Sequence, residues 1–390
     1  MLLKDVLVAD SLKRRLVKLV DENRISHAQL FLGNSGSHSF ALAIAYAQYI
    51  CCEDRQDGDS CGKCHSCVMF EKLQHPDLHL IFPNCTNKAV PKDSDSNAHV
   101  NLFRNFVFTH DYHIDFEDWV QELKGGTKGE NKQVTINIRD CANIVAQNSI
   151  RSYENGYKIY ILWMAEKLYH QAAPKLLKTL EEPENKTLFI LLAENSDSML
   201  PTILSRTQLV RIPPMEEFLI KTQLIENEQV GEQEASDIAA ISGGSYVKAL
   251  RLSKDNSELR HLLMWYNVFM KSVTAYVQRN DLNKIAYHEV QGAFDEVISE
   301  GRDMQKKMFI YFSRMFRNEL HLNKKCSFLV KSTADEFKVL DQYHSFFTVK
   351  NAGPLLQYCN EAILHIDRNV NSKLVFTDFY FKVAASMMNK

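Results

Sequence analysis

The chain has 390 residues, 45% apolar and 24% charged, with 46 basic against 48 acidic side chains for a net charge of −2. That length suggests two or three domains, and the balance excludes a disordered chain and a globally basic nucleic-acid coat. No apolar run approaches the roughly 20 residues of a membrane span, and the N-terminus, Met-Leu-Leu-Lys-Asp, has no signal-peptide core, so a cytoplasmic protein is expected.

In chain order, the apolar run Gln29–Leu32 predicts a first strand, followed by Gly33-Asn34-Ser35-Gly36-Ser37-His38-Ser39-Phe40 and a helix over Ala41–Ile50. Five of the nine cysteines then fall between positions 51 and 67. A second strand is predicted at Leu78–Phe82. Between about 84 and 134 the alternation breaks into a polar tract (Lys92–Asn97), an aromatic patch (Phe103 to Trp119) and the glycine-containing run Lys124–Asn131. It is too long for a plain connection and reads as an insertion, partly helical around Phe116–Leu123. A turn at Asn155–Gly156 leads into strands at Lys158–Leu162, Leu188–Ala193 and Gln208–Ile212, with a helix over Gln171–Glu182 stopped by Pro183. Near-continuous apolar strands alternating with helices predict a doubly wound parallel sheet, both faces covered. After Pro213–Pro214 the pattern is all-α. Leu262, Trp265, Tyr266, Phe269, Val273 and Tyr276 share one helical face, and Phe309, Phe312, Phe316 and Leu320 another. Helical spacing makes these aromatic stripes core rather than base-stacking platforms.

Four features bear on chemistry. Cys61-Gly-Lys-Cys64-His-Ser-Cys67 contains two overlapping Cys-x-x-Cys steps, and Cys52 lies nine residues upstream. Four thiolates close the shell of one tetrahedral ion, so the spacing predicts a structural zinc site, with Cys51 and His65 as substitute ligands. Free cysteines, a redox pair and a catalytic zinc are the competing readings. The loop after the first strand has the context of a phosphate loop, yet G-x-x-x-x-G-K-[ST] asks for Gly, Lys and Ser/Thr where the chain has His38, Ser39 and Phe40. Gly33 and Gly36 survive. A generic glycine turn and a decayed nucleotide site both fit. The third strand runs into Trp163 and Met164, where a working ATPase needs carboxylates, and the nearest acid is Glu166. Arg206, in Ser205-Arg206-Thr207 before the fifth strand, is either a solvated surface residue or an arginine finger.

The segments Lys175-Leu-Leu-Lys-Thr-Leu-Glu-Glu-Pro183 and Leu200-Pro-Thr-Ile-Leu-Ser-Arg-Thr207 resemble the L-L-K-T-L-E-E-P and S-R-C motifs of bacterial clamp-loader subunits of the AAA+ class, with Thr207 in place of Cys. His27-Ala28, the Cys52/61/64/67 spacing, His75-Pro76-Asp77, Gly243-Gly244-Ser245 and Arg368-Asn-Val-Asn371 fit the same family. The resemblance is strongest over 24–83 and 135–212 and weak through the insertion. It implies an α/β AAA+ (P-loop-NTPase-like) parallel-sheet domain over 1–212 with an inserted zinc module at 51–67. A small helical lid over 213–255 and an all-α C-terminal collar over 256–390 would follow. A zinc module with an intact S-R-x and a ruined phosphate loop implies a subunit without its own ATPase and with no functional ATP site. Such a subunit would sit in a heteropentamer with motor subunits and a clamp-opening subunit, meet the sliding clamp and primed DNA through that complex, and offer Arg206 in trans to a neighbour's ATP. Two other readings stay open: an active ATPase with an unorthodox site, and a zinc-dependent nucleic-acid-binding module on a dead scaffold.

Overall fold

Residues 1–87, 89–90, 92–125, 133–150, 152, 156–279 and 284–388 are described in the computed structural model. Most of the glycine-containing run and Asn155 of the expected turn lie outside the described residues. The chain divides into two units, Met1–Ile220 with Gly243–Lys248, and Lys221–Ser242 with Ala249–Lys390.

In the first unit the predicted strands form one parallel sheet: β1 Ala28–Leu32, β2 Leu78–Ile81, β3 Lys158–Leu162, β4 Thr187–Ala193 and β5 Gln208–Arg211, in the order β2-β3-β4-β1-β5. Strand side chains alternate between faces. Phe31, Ile159, Ile161, Leu188 and Ile190 enter one apolar layer, while Leu30, Tyr160, Leu162, Phe189 and Leu191 enter the other. The first layer is closed by α1 Asp10–Asp21, α2 Ser39–Cys51, α3 His65–Glu71, α4 Ser96–Thr109 and α5 Phe116–Leu123. The second is closed by α6 Ile138–Asn148, α7 Ala173–Glu181 and the short α8 Pro201–Leu204. β5 departs from the expected burial: at one edge of the sheet, three of its four residues are exposed, Leu209 among them, whereas β2 at the other edge is covered.

The insertion is more structured than its sequence suggests. α4 starts inside the polar tract, where the Asp95 carboxylate accepts from the Ala98 amide at 2.8 Å and caps the helix. Phe103 stacks on Phe82 at 4.0 Å and meets Trp119 edge-on at 5.1 Å, and the Trp119 indole donates to the Pro83 carbonyl at 2.7 Å. The buried Asp140 carboxylate, at the start of α6, accepts from the Ser96 amide at 2.7 Å and from the Asn84 side chain at 2.9 Å. Both helices therefore belong to the main core.

The second unit is helical. Its elements are α9 Glu217–Glu228, which crosses in from the first unit, α10 Glu232–Ser242, α11 Tyr246–Lys254, whose first three residues belong to the first unit, α12 Ser257–Arg279, α13 Lys284–Glu300, α14 Arg302–Asn323, α15 Ala334–Tyr343, α16 Val349–Asp367 and α17 Ser372–Met388. Trp265, Tyr266, Phe269, Phe309, Phe312 and Phe316 are buried together with Phe376 and Phe379, so the aromatic stripes are core. Among the described residues no helix is long and apolar enough to cross a membrane.

Two glutamates are fully buried in this unit. Glu336 has the Arg314 guanidinium beside it, but Glu319 has only the Tyr266 hydroxyl, donating to Oε1 at 3.1 Å, and its Oε2 has no partner among the described residues. Burial pushes the Glu319 carboxyl up to about 9, against the pull of the Tyr266 hydrogen bond. A carboxyl raised in the folded state lends stability that is complete below its unfolded value of 4.5 and is lost as pH rises toward 9. Glu319→Gln is expected to stabilise the unit by about 1–3 kcal/mol at pH 8 and by little at pH 4.5. Urea melts at the two pH values check this; equal midpoints at pH 8 would refute it.

Candidate functional site

Where α2 ends, Arg55 donates to the Tyr49 and Ile50 carbonyls at 2.8 and 2.7 Å, capping the last turn with a cation where the helix dipole favours one. The chain then closes a short turn, with Gln56 bridged to Asp59. The Asp59 carboxylate accepts from the Leu3, Lys4 and Ser60 amides and ties this segment to the N-terminus. These bonds present Cys52, Cys61, Cys64 and Cys67 with their four Sγ atoms within 4.8 Å of one another. Neither Cys51 nor His65 belongs to the cluster; Cys51 Sγ lies 3.9 Å from the Tyr157 carbonyl. Backbone amides point at sulfur: Cys61 to Cys52, Lys63 and Cys64 to Cys61, and Cys67 to Cys64, at 3.3–3.5 Å. The two amides on Cys61 bring its thiol down to about 7. Four soft donors with amide support fit a structural metal such as zinc and leave no position for a substrate.

The glycine loop lies at the carboxyl edge of the sheet, the usual place for a ligand in this class of fold. Gly33 donates to the Ala193 carbonyl of β4 at 3.1 Å. Gly36 has φ +66°, and a Cβ there would fall 2.4 Å from Ser245 Oγ and 2.9 Å from Val247 Cβ, so the loop tip is packed against Gly243–Lys248. His38 is 4% exposed. Its ring meets His113 edge-on at 4.8 Å and stacks on Tyr246 at 5.9 Å, and its Nε2 has no partner among the described residues. Burial first, then His113 and Lys13, bring the imidazole down to about 3, so it is neutral at pH 7. Ser39 opens α2, where the phosphate-loop lysine would stand. Phe40, in place of the magnesium-binding hydroxyl, is buried 5.8 Å from Phe103.

The acids of this edge are arranged differently from those of a magnesium site. Trp163 is buried against Phe103 at 5.5 Å, and Met164 takes a left-handed conformation at φ 56° that turns the chain after β3. Glu166 is brought back to the strand ends, where its Oε1 accepts from the Glu194 amide at 3.0 Å. Burial, then the Glu166 charge, push the Glu194 carboxyl up to about 7, and Ser35 hydrogen-bonds to it. The Ser35 hydroxyl also lies 3.1 Å from Asp115 Oδ2. Carboxylates from three segments thus gather at the loop, where a triphosphate would need cations.

Arg206 follows α8. Its Nη1 donates to the Thr202 carbonyl at 2.8 Å and to Ser205 Oγ at 3.2 Å, and its Nη2 forms an ion pair with Glu181 at the end of α7. The Arg206 side chain is about one-third exposed. Sequence reasoning placed Arg206 in a motif but assigned no role to Glu181, His113 or Tyr246. Only the Glu-Glu-Pro run flagged Glu181, and ring contacts between segments so far apart leave no local pattern.

The family model for DNA polymerase III, delta subunit, matches residues 8–216. The DNA polymerase III subunit delta' of Haemophilus influenzae is 30% identical over 221 residues, covering 55% of this chain and 53% of that protein. The Bacillus subtilis subunit delta' is 26% identical over 56% of this chain and 53% of its own length. The Buchnera aphidicola subunit delta' is 22% identical over 84% of this chain and 93% of its length. The chain spans about half the length of the first two relatives. With a matched span that holds all five strands, the cysteine cluster and Arg206, and that takes in more than half of the 390 residues, the chain belongs to the DNA polymerase III delta-prime subunit family.

Proposed function

We propose that this chain is the stationary, non-hydrolysing member of a bacterial clamp loader. It joins motor subunits and a clamp-opening subunit in a heteropentamer that opens the sliding clamp and closes it on primed DNA. Residues 213–255 serve as the lid and 256–390 as the collar that holds the ring. Cys52, Cys61, Cys64 and Cys67 bind one zinc, which supplies only structure. Arg206 faces ATP on a neighbouring motor subunit, where its planar fork stabilises charge on the transferring phosphoryl group.

The observation that carries this reading is the contrast at the sheet edge. The chain's own phosphate loop is packed with His38, His113 and Tyr246 and ringed by Glu166, Glu194 and Asp115, yet Arg206 is ordered and partly exposed. A chain unable to hold ATP has no use for an arginine finger of its own. The test mixes the full chain with motor and clamp-opening subunits and weighs the product by native mass spectrometry, alongside an ATP titration of the chain alone. One copy per pentamer and no saturable ATP binding into the millimolar range are expected. Failure to assemble, or turnover by the chain alone, would overturn it.

A further inference from the structure

Two motifs that are separate in sequence, the Glu-Glu-Pro end of α7 and the Ser-Arg-Thr turn after α8, meet in the Glu181–Arg206 ion pair. We infer that Glu181 is a positioning residue for Arg206, holding the guanidinium in one orientation before any phosphate arrives. This rests on the trans role proposed for Arg206 and adds a second residue to it.

Both partners are anchored from behind. α7 is pinned at its last turn by His27 at the start of β1, whose Nε2 lies 3.0 Å from the Leu180 carbonyl, while the His27 carbonyl accepts from the Phe189 amide of β4 at 2.8 Å. Leu176 and Leu180 bury the other face of α7 in the core. On the arginine side, buried Ile203 fixes α8 in the same apolar layer, and the Arg206 amide donates to the Ile203 carbonyl at 3.1 Å. Glu181 is thus a carboxylate on a rigid helix end, and Arg206 a guanidinium on a rigid turn.

A guanidinium has five N–H donors. Thr202, Ser205 and Glu181 take three of them, leaving the Nε–H and one Nη2–H uncommitted among the described residues. That remainder is an edge of the fork, available to an incoming oxyanion. The side chains are 34% and 46% exposed, and an ion pair so solvated contributes little to folding. Its effect is on the side chain's freedom: an arginine has many rotamers, and a site that fixes one in advance removes that entropy loss from the transition state.

The experiment is the DNA-stimulated ATPase of the reconstituted complex, read as kcat and KM for ATP. Glu181→Ala is expected to lower kcat roughly tenfold to thirtyfold with KM within about twofold, and Glu181→Gln, which keeps a neutral acceptor, to fall between. In an Arg206→Lys background, with residual activity, Glu181→Ala should cost far less than it does alone. A merely structural role would not move this coupling. If Glu181→Ala proves unstable, the same cycle is run with Glu181→Gln. Full kcat in the Glu181 variants while Arg206→Ala is inactive would overturn the positioning role and leave the trans role intact, as would equal losses with Arg206 or Lys at 206. Unchanged kcat in Arg206→Ala would instead defeat the trans reading itself.

Discussion

Arg206→Ala in an assembled clamp loader is expected to reduce DNA-stimulated ATPase by about 10³-fold, the lower end of what trans arginines supply elsewhere. The substitution should leave the fold intact. Arg206 is partly exposed, and its bonds to Thr202, Ser205 and Glu181 all lie on the surface of the first unit. Assembly is also expected to persist, since the proposed collar lies elsewhere in the chain. Arg206→Lys should rescue poorly, because an ammonium cannot bond Thr202, Glu181 and a phosphate with one planar group. Steady-state rates for the three complexes, after native mass shows equal composition, decide the matter. A loss of no more than about twofold, below 0.5 kcal/mol of barrier, would make Arg206 a solvated residue and the chain's contribution architectural.

The second large effect concerns the cysteine cluster. Protein purified without added metal is expected to carry one equivalent of zinc, and Cys64→Ser to lose it. Structural zinc in small modules is worth about 10–16 kcal/mol of apparent binding energy at neutral pH, more than the local contacts here can replace. Around the cluster only Cys52, Ser60, Ser66, Cys67 and Phe70 are buried between positions 52 and 70. Amide exchange should therefore show residues 52–71 losing protection in Cys64→Ser, while β1, β3 and β4 keep theirs. The Arg55 and Asp59 bonds to α2 and the N-terminus should confine the damage. Metal content well below half an equivalent in the unmodified protein would count decisively against a zinc site.

The parts of the fold legible in sequence are those where local chemistry and tertiary position agree. β1, β3 and β4 are buried on both faces and read as near-continuous apolar runs, and their predicted limits lie within one residue of those observed. β5, Gln208-Leu-Val-Arg211, is half polar and sits at one edge of the sheet, and only the strand order shows which of its residues are uncovered. α4 is hard to read locally because it begins with Ser96-Asn97 after Asp95, residues that compete for the backbone and favour turns unless a cap and a core hold the helix. At the site, the cysteine spacing pointed to the cluster because all four ligands lie in one short segment. His38, Ser39, Phe40, Trp163 and Met164 could be read as missing phosphate and magnesium ligands. The side chains packed around the loop could not, since His113, Asp115 and Tyr246 come from segments joined only in three dimensions.

The packing of Phe40 and Trp163 around Phe103 ties the loop position and the strand-end position to one aromatic cluster. Installing a hydroxyl at 40 and a carboxylate at 163 would remove two large rings from the interior, at about 3–5 kcal/mol for an aromatic deletion of this kind, and would leave a charge in their place without a partner. Phe103 of the insertion would lose two of its ring neighbours and keep Phe82 and Trp119. A single substitution at position 40 or 163 is therefore also a core substitution, felt by Phe103 as well as by the loop.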